Sequence, residues 1–128
     1  MSPIGIGVYL KHLDHWLETF PSEQIHIVDG KNLVDQPWEE LAKIESFLGL
    51  RPEISKKEEF YLNEAKGFYC FSKTRELWYQ GCMSNMKGKK HPKIDEETRR
   101  TLQDFFAPFN EKLFKRIGRR LSWAEGAH

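Results

Sequence analysis

The sequence predicts an α/β fold that is mostly helical, with one strand and a small hairpin. Two observations support this prediction. Apolar residues recur at three- and four-residue intervals near both ends of the chain, and short runs rich in β-branched or aromatic residues lie between those stretches. The 128 residues are 39% hydrophobic and 13% aromatic, which suffices for one domain with an apolar core.

The N-terminal part of the chain is predicted to form one long amphipathic helix, from Ile4 to Phe20, which Pro21 ends. The apolar positions that define its buried face are Ile6, Tyr9, Leu10, Leu13, Trp16, Leu17 and Phe20. Two histidines, His12 and His15, lie between those positions. We interpret both as facing solvent rather than as metal ligands or catalytic bases.

A strand and a second helix are predicted next. Residues 24–30 alternate and are rich in β-branched side chains, so we expect a strand that a turn at Asp29 and Gly30 closes. Asp35 is expected to cap the following helix, with Pro37 in its first turn and Gly49 at its C-terminal stop. The buried stripe of this helix is expected to consist of Trp38, Leu41, Ile44, Phe47 and Leu48.

Two short aromatic runs in the middle of the chain predict a small β-hairpin. Residues 60–63 and 67–71 form these runs, and Glu64, Ala65 and Lys66 separate them. The second run delivers Cys70 to the end of the predicted hairpin.

The C-terminal part is predicted to form two helical segments that Pro108 separates. Asp95 is expected to cap the first of them. The residues expected to face inward are Leu102, Phe105, Phe106, Phe109, Leu113, Phe114 and Ile117. Three arginines, Arg116, Arg119 and Arg120, lie where they complement the negative end of the second segment.

Charge is distributed unevenly along the chain. The net charge is only +1, which argues against an undirected polyanion binder, and no nucleic-acid partner is predicted. Residues 65–94, however, contain seven Lys or Arg and one acid, for a net charge of +6. The remainder therefore carries −5. A basic surface on an acidic body predicts an anionic ligand held at one place, the alternative being a solvated basic loop.

Cys70 and Cys82 enclose eleven residues. A disulfide between them would contribute about 3 kcal/mol in the chain-entropy model and would indicate an oxidising compartment. Two unrelated free thiols are the first alternative. A zinc site is the second, but zinc takes four ligands and His91 is the only nearby addition, so we predict no metal.

The most cationic short segment follows Cys82 and consists of Lys87, Gly88, Lys89, Lys90 and His91. Glycine allows backbone N–H groups to approach an anion closely, and the ammonium groups supply charge. This combination suits a phosphate or a sulfate ester. The spacing of a Walker loop is absent, and so is a dinucleotide fingerprint. The nearby aromatic residues Phe68, Tyr69 and Phe71 offer a stacking surface, although in a hairpin such residues more often belong to the core.

An ordered set of motifs runs along the chain: Gly5 to Tyr9 leading into Lys11 to Leu17, then Ser46 to Leu50, Phe60 to Asn63, Lys66 to Cys70, and Lys87 to Asp95. This set resembles the C-terminal half of the heparan sulfate sulfotransferases, and most closely the glucosamine 3-O-sulfotransferases. The resemblance covers nearly the whole chain, so residues 1–128 are interpreted as a partial sulfotransferase domain.

The resemblance implies a P-loop-kinase-like α/β fold and a Golgi enzyme that uses 3′-phosphoadenosine 5′-phosphosulfate as donor and heparan sulfate as acceptor. Carried onto this chain, Cys70 and Cys82 match the family's disulfide. The segment from Lys87 to His91 matches its donor-binding loop, and Phe68 with Tyr69 match the aromatic pair beside the donor nucleotide. Lys66, Lys87 and Lys89 are expected to contact the acceptor, although Lys89 replaces an arginine that is common in the family.

The family's donor-cradling strand, loop and helix, its carboxylate base and its 3′-phosphate ligands are not found in this sequence. No catalytic residue is therefore predicted here, and we expect the chain alone to be catalytically silent. The alternatives are an N-sulfotransferase and a binding module for sulfated glycans without chemistry. The sequence contains neither a targeting signal nor a membrane-spanning stretch, so the Golgi lumen is expected from the resemblance alone.

Overall fold

The computed structural model describes residues 3–72, 81–82 and 92–124. The chain divides into two compact units, one formed by residues 1–26 and 92–128 and the other by residues 27–91. The described residues combine α-helices with a small two-stranded antiparallel sheet, which is consistent with the α/β prediction. Within the same residues, no helix is long and apolar enough to cross a membrane.

The first unit begins with two helices, α1 (Pro3–Ile6) and α2 (Tyr9–Thr19), so the prediction of one continuous helix from Ile4 to Phe20 is wrong. Val8 lies between them with φ −81° and ψ 80°, outside the helical region. Gly7 is required by a close approach, because a Cβ atom at this position would lie 2.7 Å from the ring of Phe106. The chain therefore bends where a glycine fits against an aromatic ring.

A 22-residue helix, α5 (Glu96–Ile117), completes the framework of this unit. Its predicted cap is confirmed, since the Asp95 side chain accepts a hydrogen bond of 2.8 Å from the Thr98 N–H. The predicted break at Pro108 is wrong. A proline removes a single N–H from the helical ladder, and the buried side chains of Leu113 and Phe114 hold the following turns in place.

Leu113, Phe114 and Leu121 are each 5% exposed and form the core of the first unit. The ring of Trp123 packs against Phe114 at a centroid distance of 5.6 Å. Of the other α5 residues expected to face inward, Phe105 is 45% exposed, so that expectation is wrong for its side chain.

Arg116 and Arg120, near the end of α5, form ion pairs. Arg116 Nε lies 3.3 Å from Asp14 Oδ1 of α2. Arg120 donates to both carboxylate oxygens of Glu111, at 3.0 and 2.8 Å. These contacts favour a structural role for the arginines.

The second unit contains a helix, α3 (Gly30–Asp35), where the sequence predicted the end of a strand. The strand over residues 24–30 and its closing turn are therefore wrong. Ile25 is extended, but the one sheet among the described residues joins two later strands. The Asp29 carboxylate accepts from the N–H groups of Lys31 and Asn32, both at 3.2 Å, and this cap starts a helix instead of a turn.

The next helix, α4 (Pro37–Phe47), begins at a proline and is followed by Gly49 with φ +66°, as predicted. Asp35 does not cap it, because the Asp35 carboxylate pairs with Lys31 within α3.

The predicted buried stripe of α4 is partly wrong. Phe47 and Leu48 are 39% and 59% exposed. Trp38, Leu41 and Ile44 are half-buried, and the most buried positions are Pro37, Glu40 and Glu45.

The predicted hairpin is confirmed. It consists of β1 (Phe60–Asn63) and β2 (Phe68–Phe71), which pair antiparallel. The register aligns Phe60 with Phe71 and Asn63 with Phe68.

Candidate functional site: the disulfide-closed hairpin

The two faces of the hairpin carry different side chains. Because side chains alternate along a strand and directly paired residues share a face, the register defines both sets. One face carries Phe60, Leu62, Tyr69 and Phe71, and the other carries Tyr61, Asn63, Phe68 and Cys70. We call the first the tryptophan face and the second the cystine face, after the contacts that follow.

Cys70 and Cys82 form a disulfide, which confirms the favoured interpretation of the two cysteines and rules out free thiols. The Gly81 N–H donates to the Phe71 carbonyl at 3.2 Å, and this bridge aligns Cys82 beside β2. On the cystine face, Asn63 Nδ2 and the Tyr61 hydroxyl lie 3.3 and 3.5 Å from Cys82 Sγ. Hydrogen bonds and a covalent bond therefore fix Cys82, which lies five residues before Lys87 in the sequence.

Lys66 lies in the turn of the hairpin, which Asn63 organises. The Asn63 carbonyl accepts from the N–H groups of Lys66 and Gly67, at 3.1 and 2.8 Å. Its side-chain oxygen also accepts from the Lys66 N–H at 3.1 Å. Lys66 Nζ lies 5.8 Å from the centre of the Phe68 ring, a cation–π arrangement. Lys66, which is predicted to contact the sulfate acceptor, and Phe68, which is predicted to contact the sulfate donor, are thus neighbours.

Tyr69 lies on the tryptophan face, opposite Phe68. Its ring meets Trp38 of α4 edge-on, at a centroid distance of 5.0 Å. Trp38 also contacts Phe60 at 6.1 Å, and Lys57 Nζ lies 5.0 Å above the Trp38 ring. The structure therefore brings Lys66 and Phe68 together and places Tyr69 on the other side of the strand.

A buried carboxylate that sequence reasoning missed organises the helices behind the hairpin. The Glu40 side chain is fully buried. It accepts from the Asp29 N–H at 3.1 Å, from Asn32 Nδ2 at 3.0 Å and from the ammonium group of Lys43. The sequence does contain one indication that Glu40 is buried. It lies three residues after Pro37 and four before Ile44, so it shares the apolar stripe of α4 with them.

Glu45 has a similar role at the other end of α4. It is 4% exposed, and its Oε1 accepts from the N–H groups of Glu53 and Ile54, both at 2.8 Å. Burial acts to raise the pKa of Glu45, but hydrogen bonds from Ser55, Ile54 and Glu53 outweigh it and hold the pKa below its ordinary value. The carboxylate thereby anchors the connection between α4 and the hairpin.

The lowered pKa values predict acid sensitivity. Burial acts to raise the pKa of Glu40, but its hydrogen bonds from Lys43, Asn32 and Asp29 lower it further than burial raises it. Both carboxylates therefore stabilise the fold above the pKa of a free glutamate, about 4.3, and that stabilisation is lost as pH falls through the lowered folded values. Urea unfolding between pH 3 and pH 7 should show this loss, and it should be smaller in Glu45→Gln. Identical profiles for the variant and the wild type would contradict the assignment.

The segment Lys87, Gly88, Lys89, Lys90 and His91 lies outside the described residues, so its predicted role stays a prediction. Among residues 3–72, 81–82 and 92–124, no cluster of His, Cys, Asp or Glu is arranged to hold a metal ion. The described part of the candidate site is therefore the disulfide, Lys66, Phe68 and Tyr69.

The family profile described as "Sulfotransferase domain" matches residues 2–118. This match covers most of the chain, and the chain belongs to the sulfotransferase domain family.

The chain is similar to several heparan sulfate glucosamine 3-O-sulfotransferases. It is 42% identical to human 3-O-sulfotransferase 3B1 over 122 residues, which is 95% of this chain and 31% of that protein. It is 42% identical to mouse 3-O-sulfotransferase 5 over 120 residues, 94% of this chain and 34% of that protein. It is 37% identical to human 3-O-sulfotransferase 6 over 122 residues, which is 95% of this chain and 35% of that protein. The chain thus spans about a third of the length of these relatives.

Proposed function

We propose that the protein to which this chain belongs is a heparan sulfate glucosamine 3-O-sulfotransferase, with 3′-phosphoadenosine 5′-phosphosulfate as donor. The observation that carries the proposal is 42% identity, over 95% of the chain, to a protein of that name. The disulfide that the resemblance implied is also present. The proposed reaction is the transfer of a sulfuryl group to a sugar hydroxyl, and the proposed location of the enzyme is the Golgi lumen.

The chain's proposed contribution is electrostatic. Sulfuryl transfer requires fixed positive charge on the transferring group and on the leaving phosphate. Lys87, Lys89 and Lys90 supply that charge under the proposal, and Gly88 lets the backbone approach the anion. The Cys70–Cys82 disulfide holds Cys82, which lies five residues before Lys87 in the sequence, against the hairpin.

The hairpin turn is the proposed start of the acceptor surface. Lys66 presents an ammonium group beside the Phe68 ring. Heparan sulfate is a polyanion built of sugar rings, so its anionic groups would pair with the ammonium group and a sugar ring would lie near the aromatic ring. Lys87 and Lys89 would extend the positive surface toward the acceptor. Phe68 is the proposed stacking partner of the donor nucleotide on the cystine face. Tyr69 is also proposed to lie beside the nucleotide, but on the tryptophan face.

The catalytic base is not assigned to this chain, and we propose that the 128 residues alone are catalytically silent. The names of the relatives favour 3-O-sulfation over N-sulfation. A binding module for sulfated glycans without chemistry is the alternative from another class.

Isothermal titration with adenosine 3′,5′-bisphosphate, the desulfated donor, tests the anion site. We expect the chain to bind this nucleotide, and we expect the double variant K87A/K89A to bind it at least about tenfold more weakly, because two ammonium contacts are lost. Lys112→Ala is the matched control, since Lys112 is an exposed lysine of α5, and its affinity should equal that of the wild type.

Two results would contradict the anion site. One is equal affinity of K87A/K89A and the wild type for the nucleotide. The other is salt-sensitive binding of heparin without any binding of the nucleotide, which would support the glycan-binding module instead.

A further inference from the structure

Asn63, the last residue of β1, makes contacts through both ends of its side-chain amide. Its Oδ1 atom accepts from the Lys66 N–H at 3.1 Å, and its Nδ2 atom lies 3.3 Å from Cys82 Sγ. These two partners lie three and nineteen positions later in the chain. A single half-buried side chain therefore joins the hairpin turn to the disulfide.

The orientation of the Asn63 amide follows from its partners. A backbone N–H can only donate, so the atom that faces the Lys66 N–H is the oxygen, and the NH₂ group is left to face the sulfur. A disulfide sulfur is a weak acceptor, so the contact with Cys82 adds little to the stability of the fold. Its effect is to fix the rotation of the amide, because the Cys82 sulfur is itself held by the covalent bond to Cys70.

The turn that Asn63 organises carries two of the candidate ligand contacts. Phe68 pairs directly with Asn63 across the hairpin, and the Lys66 ammonium group lies 5.8 Å from the centre of the Phe68 ring. A lysine side chain has many rotamers, so the position of its ammonium group depends on how firmly its backbone is held. The Lys66 N–H is bound by both the carbonyl and the side-chain oxygen of Asn63. These two contacts restrict where the ammonium group can lie.

We propose that Asn63 is a positioning residue for the binding of a sulfated glycan. It acts through Lys66, by holding the ammonium group beside the Phe68 ring where a sulfate group of the glycan is received. The proposal rests on the proposed function, in which Lys66 contacts the acceptor. Asparagine suits this position because it offers an acceptor and a donor. Serine offers a hydroxyl that accepts in the same kind of turn but ends one bond closer to the backbone, and alanine offers neither contact.

Amide hydrogen exchange, followed by NMR, tests the positioning contact without any ligand. We expect the Lys66 N–H to exchange at least about fivefold faster in Asn63→Ala, because the side-chain acceptor is lost. The rate in Asn63→Ser should lie between those of Asn63→Ala and the wild type. The Leu33 N–H, which donates to the Asp29 carbonyl at 2.8 Å, is the internal reference and should keep its rate in all three proteins.

Isothermal titration with a heparin hexasaccharide at constant salt tests the binding role. Lys66→Ala should weaken binding by about fivefold, since a charged contact is lost, and Asn63→Ala by about threefold although the net charge is unchanged. The double variant N63A/K66A should bind as Lys66→Ala does, because Asn63 acts through Lys66. Asn63→Ser should recover part of the loss. Asn110→Ala, the same substitution in α5, is the matched control and should bind within about 1.5-fold of the wild type.

Three results would overturn the proposal. The first is an equal Lys66 exchange rate in Asn63→Ala and the wild type, with an unchanged Leu33 rate showing that both are folded. The second is a loss of affinity from Asn63→Ala that is as large in the Lys66→Ala background as in the wild type, since Asn63 would then act by another route. The third is a chain whose Lys66 exchange responds as expected but which binds no hexasaccharide. That third result would contradict the proposed function as well, and the exchange data keep the two failures apart.

Discussion

Glu40→Ala is expected to lower the free energy of unfolding by about 3 kcal/mol, since a buried backbone N–H and a part-buried amide lose their acceptor and a cavity remains. Glu40 is fully buried and joins three donors from separate positions, namely the Asp29 N–H, the Asn32 amide and the Lys43 ammonium group. With alanine, the Asp29 N–H and the Asn32 amide lose their acceptor, whereas the Lys43 ammonium group, whose side chain is 46% exposed, turns to water. Urea denaturation monitored by circular dichroism measures the change.

The adjacent residue provides the control for this prediction. Glu39 is an exposed acid in the same first turn of α4, and Glu39→Ala should change the unfolding free energy by less than about 0.5 kcal/mol. Glu40→Gln keeps the shape but has one acceptor oxygen, so it can accept from the Asp29 N–H or from the Asn32 amide but not from both, and it loses the charge opposite Lys43. Its cost should lie between the two. A loss below about 1 kcal/mol in Glu40→Ala would show that the network does not hold α3 and α4 together.

Trp38→Ala is expected to cost about 3 kcal/mol, because the Trp38 ring joins α4 to the hairpin. It meets Tyr69 at 5.0 Å and Phe60 at 6.1 Å, and Lys57 covers its ring. Aromatic pairs of this kind stabilise a fold beyond the area that they bury. The loss should appear in urea denaturation, and the near-ultraviolet circular dichroism of the aromatic residues should weaken with it.

Two further variants separate this contact from a general effect of mutating α4. Trp38→Phe retains a ring against Tyr69 and should recover more than half of the lost stability. Leu48→Ala removes an exposed side chain just after the end of the same helix and should cost less than about 0.5 kcal/mol. Equal losses in Trp38→Ala and Leu48→Ala would contradict the role of Trp38.

The sequence allowed accurate prediction where local chemistry decides the structure. The hairpin was predicted because two aromatic runs flank a short polar connection, and the cap at Asp95 because its acid precedes an amphipathic run. The disulfide followed from two cysteines within one loop and from the family resemblance. In each case the determining residues lie close together in the chain.

Prediction failed where packing or a competing local contact decides the structure. Residues 24–30 have the composition of a strand, yet the side-chain cap of Asp29 starts α3 there. Pro108 has the chemistry of a helix breaker, but the buried side chains of Leu113 and Phe114 hold α5 together beyond it. Glu40 was missed because a carboxylate is normally read as exposed, and only the positions of its three donors explain its burial.

Under the proposed function, this chain supplies one wall of the active site of a heparan sulfate 3-O-sulfotransferase. The most direct test is a chimera in which residues 1–128 replace the matching third of human 3-O-sulfotransferase 3B1. After incubation with the donor and heparan sulfate, disaccharide analysis locates the added sulfate. We predict sulfate at the glucosamine 3-O position, lost in K87A/K89A and absent with the 128-residue chain alone. A folded chimera that transfers no sulfate, or that places it on nitrogen, would contradict the claim.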